Sequence, residues 1–180
     1  QYLWSGTHKN VLVIGAEALT RIVNYRDRTS CIIFGDGAGA VVYSTDFEHG
    51  EVLSTSLNAD GGGYDIMYQT AGGSETPVTP EHLEANEHKL VIRGREVYKF
   101  AVNRLVELVR REQSNNPELV LGGVVPHQVN LRIIESARER LDLSADRIFT
   151  NIQRYGNTSS ASVPVALDEA RRAGFMSEMD

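Results

Sequence analysis

Thirty positions separate His127 from Asn157, and each stands in a short segment that follows an apolar run and opens a predicted helix. The segments are Val124-Val125-Pro126-His127-Gln128-Val129-Asn130 and Tyr155-Gly156-Asn157-Thr158-Ser159-Ser160-Ala161-Ser162-Val163-Pro164. An imidazole and a carboxamide held on adjacent loops supply two hydrogen-bond donors, and two donors aimed at one point stabilise an oxyanion as its charge develops. Such a site still needs a nucleophile. The chain's single cysteine, Cys31, begins an apolar stretch with no base beside it, and buried cysteines are ordinarily inert filler.

Taken singly, both residues have plainer readings. Pro126 stops the strand before His127, which suits a structural histidine as well as a functional one. Asn157 after Gly156 suits a helix cap. His8, His49, His82 and His88 lie in polar, turn-like surroundings with no metal-ligand spacing, so they read as surface residues and no metal is expected. Gly35-Asp36-Gly37-Ala38-Gly39-Ala40 fits the loose dinucleotide fingerprint, but that fingerprint requires a following helix, and Val41-Val42-Tyr43-Ser44 is strand-like. The favoured reading is a bend that lets another backbone approach closely.

These segments must be carried by alternating strands and helices. Val11 to Gly15 predicts a buried strand, Ala18 to Tyr25 a short helix, Cys31 to Phe34 and Ala40 to Tyr43 two strand pieces or one bent strand, and Gly50 to Leu57 another strand. Asn58 to Asn86, rich in glycine and proline, predicts a long irregular excursion of the kind that often carries function. From Glu96 a long helix is expected, with Val97, Phe100, Ala101, Leu105, Leu108 and Val109 on its inner face. Leu119 to Val125 and Arg147 to Thr150 predict strands, Leu131 to Leu141 and Ser159 to Ala173 helices, with Pro164 confined to the first turn of the last one. The order argues for α/β layers.

The 180 residues suffice for one sizeable domain, and a net charge of −6 argues for neither nucleic acid nor an anionic membrane as partner. One cysteine excludes an internal disulfide framework, which points to a reducing, cytoplasmic compartment. No apolar run approaches the length of a membrane span. Gln1 to Gly6 reads as the last turn of a helix stopped by Gly6, and the chain stops at Asp180 just after a helix, so a fragment of a longer protein is expected.

Three runs join the pattern: His127-Gln128-Val129-Asn130-Leu131-Arg132-Ile133-Ile134, Gly156-Asn157-Thr158-Ser159-Ser160-Ala161-Ser162-Val163-Pro164, and Phe34-Gly35-Asp36-Gly37-Ala38-Gly39-Ala40. In order and spacing they resemble β-ketoacyl-acyl-carrier-protein synthase III, the initiating condensing enzyme of bacterial fatty-acid synthesis. The family usually has alanine where this chain has Val129. The resemblance implies a thiolase-like, layered α-β-α-β-α fold. Residues 1–46 would then close its N-terminal half, and residues 47–180 would form its C-terminal half, truncated before the last strands. Of the family's cysteine, histidine and asparagine triad it assigns His127 and Asn157, and it puts the nucleophilic cysteine upstream of Gln1. The family's glycine-rich C-terminal strand turn is likewise not in these residues.

The implied reaction is a decarboxylative condensation of an acyl-coenzyme A primer with malonyl-acyl-carrier protein, needing no metal or redox cofactor. By the same resemblance Arg28 contacts the nucleotide end of coenzyme A, and Gly94 and Asn130 line the pantetheine tunnel. Lys99 and Arg132, extended by Arg140, form a basic patch toward the acidic carrier protein, although Glu139 stands where some relatives have lysine. Family members are homodimers, and the Asn58 to Asn86 excursion is a candidate for shaping the acyl pocket. Two alternatives share the pattern: a related polyketide-type ketosynthase or acyltransferase, and a non-catalytic carrier-protein-binding homologue.

Overall fold

A computed structural model describes residues 1–46 and 50–176. His49 and the expected boundary between residues 46 and 47 adjoin or lie outside that range, as do residues 177–180. Two antiparallel strands open the fold, β1 (Asn10–Ala18) and β2 (Asp36–Ser44), paired in register from Asn10↔Ser44 to Ala18↔Asp36. A second antiparallel pair joins β3 (Met67–Gln69) to β4 (Leu90–Ile92). The helices are α1 (Pro80–Glu84), α2 (Gly94–Asn115), α3 (Leu131–Arg140), α4 (Ile152–Tyr155) and α5 (Ser162–Arg172). The α/β class is as expected.

The glycine-rich segment is a correction. It does not bend: Asp36 to Ala40 is the first half of β2, while Cys31 to Ile33 forms a turn in place of the expected strand piece. The close backbone approach expected there is found at Gly35, where a Cβ would stand 2.1 Å from the Tyr155 carbonyl oxygen. A Cβ on Gly39 would stand 3.0 Å from the Pro164 ring of α5, so the missing side chain lets β2 run directly beneath that helix. Ala161, just ahead of α5, and Ala166 and Ala170 within it are fully buried.

Other expectations fail for want of a pairing partner or through local competition. Gly50 to Leu57 forms no ladder, and Leu57 is 99 % exposed. Among the described residues, Leu119 to Val125 and Arg147 to Thr150 form no ladder beyond the isolated parallel bridge Val124↔Ile148, beside which Arg147 donates to the Gly122 carbonyl at 2.6 Å, and Val120 is 90 % exposed. Apolar, β-branched sequence suits a pleated, half-buried surface, but a strand exists only where a neighbour accepts its hydrogen bonds. The helix expected over Ala18 to Tyr25 shrinks to a 3₁₀ turn at Leu19–Arg21, because the Asp36 carboxylate takes both the Thr20 N–H (2.8 Å) and its hydroxyl (2.5 Å). The Asn58 to Asn86 excursion is more ordered than expected, holding a 3₁₀ turn at Gly61–Gly63, β3, and α1 capped by Thr79 and His82.

Helix α2 presents a rotated face. Val102 and Val106 are its buried residues, whereas Phe100 and Leu108 are exposed. The Tyr98, Val102, Val106, Arg110 ridge faces α3: Tyr98 bonds Ser136 through its hydroxyl at 2.6 Å, and Arg110 donates to the Arg140 carbonyl at 2.8 Å. From α3, Ile133, Ile134 and Ala137 complete this core. Gly6, at φ +71°, stops the helical turn that Ser5 N–H makes to the Gln1 carbonyl at 2.9 Å, as its sequence suggests.

Candidate active site

His127 is placed by the residue after it. Gln128 is 1 % exposed, and its carboxamide donates to the carbonyls of Pro126 (2.9 Å) and Phe149 (3.3 Å) while accepting from Asn151 N–H (2.9 Å). Two of these bonds tie the loop ahead of α3 to the chain that leads into Asn157, and the one to Pro126 braces the loop itself. The imidazole Nδ1 lies 2.5 Å from the Ser162 hydroxyl, at the first residue of α5. The residue keeps an exposed edge, yet enough protein surrounds the ring that desolvation holds its pKa below the ordinary imidazole value. A neutral ring at neutral pH is the result.

Asn157 is clamped through its own backbone. Its N–H donates to the Ile33 carbonyl (2.9 Å), and its carbonyl accepts from Gly35 N–H (3.0 Å), forming the parallel bridge Phe34↔Asn157. Gly35 permits this, since a Cβ there would stand 2.1 Å from the Tyr155 carbonyl oxygen. The side chain is only 5 % exposed, and its Oδ1 accepts from Ser159 N–H at 2.9 Å, which assigns oxygen and nitrogen in the carboxamide. Oδ1 caps the turn, and Nδ2 makes no hydrogen bond among the described residues. The imidazole Nε2 is likewise without a partner there, so each side chain has one heteroatom anchored and the other open.

A cavity of about 90 Å³ lies beside Asn157, lined also by Phe34, Gly94, Val129, Asn130 and Ile133. It gathers Asn157 and both expected tunnel residues, Gly94 and Asn130. Asn130 also caps α3 by accepting from Arg132 N–H at 2.9 Å. A groove of about 470 Å³ along α2, lined by Leu53, Leu108 and Val124 among others, holds none of these donors. Arg28 is exposed on a turn that Asp27 braces through Thr29 and Ser30, away from this lining. Lys99 and Arg132 are exposed on the packed pair α2 and α3, and neither forms an ion pair among the described residues. Arg140 lies about 12 Å farther along the α3 axis from Arg132 and is tied to Asn103 Oδ1 at 2.6 Å.

Sequence reasoning passed over Ser162, Gln128 and Gly35 as parts of this site. The available signal was a buried polar residue at a helix start and another beside His127, which segment patterns alone do not separate from caps and turn residues. Among the described residues no cluster of three metal-ligating side chains exists.

Two family models match in succession: "3-Oxoacyl-[acyl-carrier-protein (ACP)] synthase III" over residues 1–61 and its "C terminal" counterpart over residues 119–180. The chain belongs to the 3-oxoacyl-[acyl-carrier-protein] synthase III family. It is 44 % identical to the β-ketoacyl-[acyl-carrier-protein] synthase III of Caldanaerobacter subterraneus subsp. tengcongensis over 184 residues, which is all of this chain and 55 % of that one. The protein of the same description from Clostridioides difficile strain 630 is also 44 % identical, over 182 residues with the same coverage. The chain therefore spans about half the length of the curated relatives it matches. Among solved structures, 3-oxoacyl-[acyl-carrier-protein] synthase III from Aquifex aeolicus VF5 superposes with a TM-score of 0.81 at 39 % identity, covering 97 % of this chain and 52 % of that one. The priming β-ketosynthase of the R1128 polyketide pathway does so at 0.76 and 32 %, with the same coverage. The fold is that of the thiolase-like synthases III.

Proposed function

We propose that the intact protein joins an acyl-coenzyme A primer to malonyl-acyl-carrier protein, releasing carbon dioxide and giving a β-ketoacyl-acyl-carrier protein that initiates fatty-acid synthesis. The observation that carries this reading is the pair of open donors, His127 Nε2 and Asn157 Nδ2, each on a side chain whose other heteroatom is anchored. An upstream cysteine would attack the primer thioester, expel coenzyme A and hold the acyl group. The malonyl thioester carbonyl would then face the two donors. Loss of carbon dioxide leaves an enolate whose oxygen they stabilise, and its carbon attacks the acyl-cysteine and expels the thiolate. No metal or redox cofactor enters this scheme.

The 90 Å³ cavity with Gly94 and Asn130 fits the inner end of a pantetheine tunnel, and Arg28 would meet the nucleotide end of coenzyme A. Lys99 and Arg132 would meet the carrier protein, and Arg140 would reach it only at the edge. A homodimer in the cytoplasm, divided near residue 46 into N- and C-terminal halves, completes the proposal. A priming role in a polyketide pathway is the second reading, favoured by the likeness to the R1128 synthase.

The test is an assay of the full-length protein with acetyl- and longer acyl-coenzyme A plus malonyl-acyl-carrier protein. His127→Ala and Asn157→Ala should each lower malonyl decarboxylation by about 10²- to 10³-fold, while acylation of the nucleophile stays near normal. Absence of a β-ketoacyl product with every primer would reject the proposal, as would variants that lose acylation but keep decarboxylation.

A further inference from the structure

We infer that Ser162 is a positioning residue that fixes the tautomer of His127, directing the imidazole proton to Nε2 and so to the substrate. The inference rests on the donor-pair reading above and adds the group that makes the histidine a donor on the correct side.

Proton counting carries the argument. A serine hydroxyl has one proton and two acceptor positions. Among the described residues the Ser162 oxygen meets two groups, the Gln128 N–H at 3.3 Å and the His127 Nδ1 at 2.5 Å. An amide N–H only donates, so it occupies one acceptor position and cannot receive the hydroxyl proton. Among the described residues the acceptor left for that proton is Nδ1. A neutral imidazole whose Nδ1 accepts must carry its hydrogen on Nε2. The opposite tautomer would direct two donors at one hydroxyl and leave its proton unmatched at a site only 2 % exposed, where water does not substitute readily.

The arrangement is held from both sides. Gln128, whose N–H reaches Ser162, is fixed by Pro126, Phe149 and Asn151. Ser162 opens α5, where Pro164 in the first turn sets the backbone. The lowered pKa of His127 agrees, because a neutral ring is the form for which a tautomer has meaning.

The test uses the intact enzyme with ¹⁵N-labelled histidine. In the wild type, the His127 resonances should show an unprotonated Nδ1 and a protonated Nε2. Ser162→Ala should mix the tautomers and slow malonyl decarboxylation about 10- to 100-fold, the scale of one lost buried hydrogen bond, with primer acylation within about twofold of normal. A protonated Nδ1 in the wild type overturns the inference. So does a Ser162→Ala enzyme with unchanged tautomer and decarboxylation, and so does equal loss of both half-reactions, which marks a packing role. If His127→Ala itself decarboxylates normally, the donor-pair reading falls too; if His127→Ala is crippled and Ser162→Ala is not, only the inference falls.

Discussion

Gly35→Ala places a perturbation outside the pair of donors yet should disable one of them. The new Cβ would stand 2.1 Å from the Tyr155 carbonyl oxygen, whereas real Cβ atoms essentially never approach closer than 3.0 Å. The strand start and the Asn157 loop must therefore part by roughly 1 Å, because the obstacle is backbone and has no rotamer to yield. Parting strains or breaks two bonds, Asn157 N–H to Ile33 and Gly35 N–H to Asn157, worth about 1 kcal/mol each. Alanine also narrows the unfolded ensemble, offsetting about 0.4–1 kcal/mol, so a net loss of about 1–2 kcal/mol is expected. The functional cost should be larger, since a displacement of about 1 Å at a positioned group can lower rate about 10²-fold. Denaturant titration and malonyl decarboxylation of the intact enzyme measure the two effects. Gly73→Ala, which meets nothing within 4 Å, is the control. A Gly35→Ala enzyme with the wild-type midpoint and rate would refute the clamp argument.

The remaining predictions concern charge. The depressed pKa of His127 should place its NMR titration midpoint below the ordinary 6.5, and a midpoint at or above that value would contradict the desolvation argument. Because the unfolded chain binds this proton first, His127's contribution to stability is fully present above about pH 6.5 and is lost as pH falls from there toward the folded value; His127→Ala should flatten that slope in pH-dependent unfolding. Arg132→Glu should raise the Michaelis constant for the malonyl-carrier substrate by about 10-fold and that for the acyl-coenzyme A primer by less than about twofold, an equal rise arguing against a carrier patch.

Helices announced themselves in the sequence because their periodicity is local. The helix expected over Leu131 to Leu141 was legible for that reason, as was Pro164 in the first turn of α5. The strands were less so: Leu119 to Val125 has the composition of a buried strand, but its pairing depends on neighbours far away in sequence. The inner face of α2 was misplaced because Phe100 and Leu108 are as apolar as Val102 and Val106, and only the position of α3 chooses between the two stripes. At the site, residue types singled out His127 and Asn157, whereas Ser162 was hidden among the polar residues of a helix start. Cys31 read as inert from its lack of a base, and it sits in a turn, not at the head of a strand.

The bridge between Phe34 and Asn157 joins segments more than 120 positions apart in the chain. Closing so long a loop costs conformational entropy before any contact repays it, so contacts of this kind form after the local helices. Asn157 therefore acquires its fixed orientation only as the distant halves of the chain come together. On the proposed mechanism, a nascent or partly unfolded molecule has no assembled enolate site, and the decarboxylating activity comes into being with the completed fold.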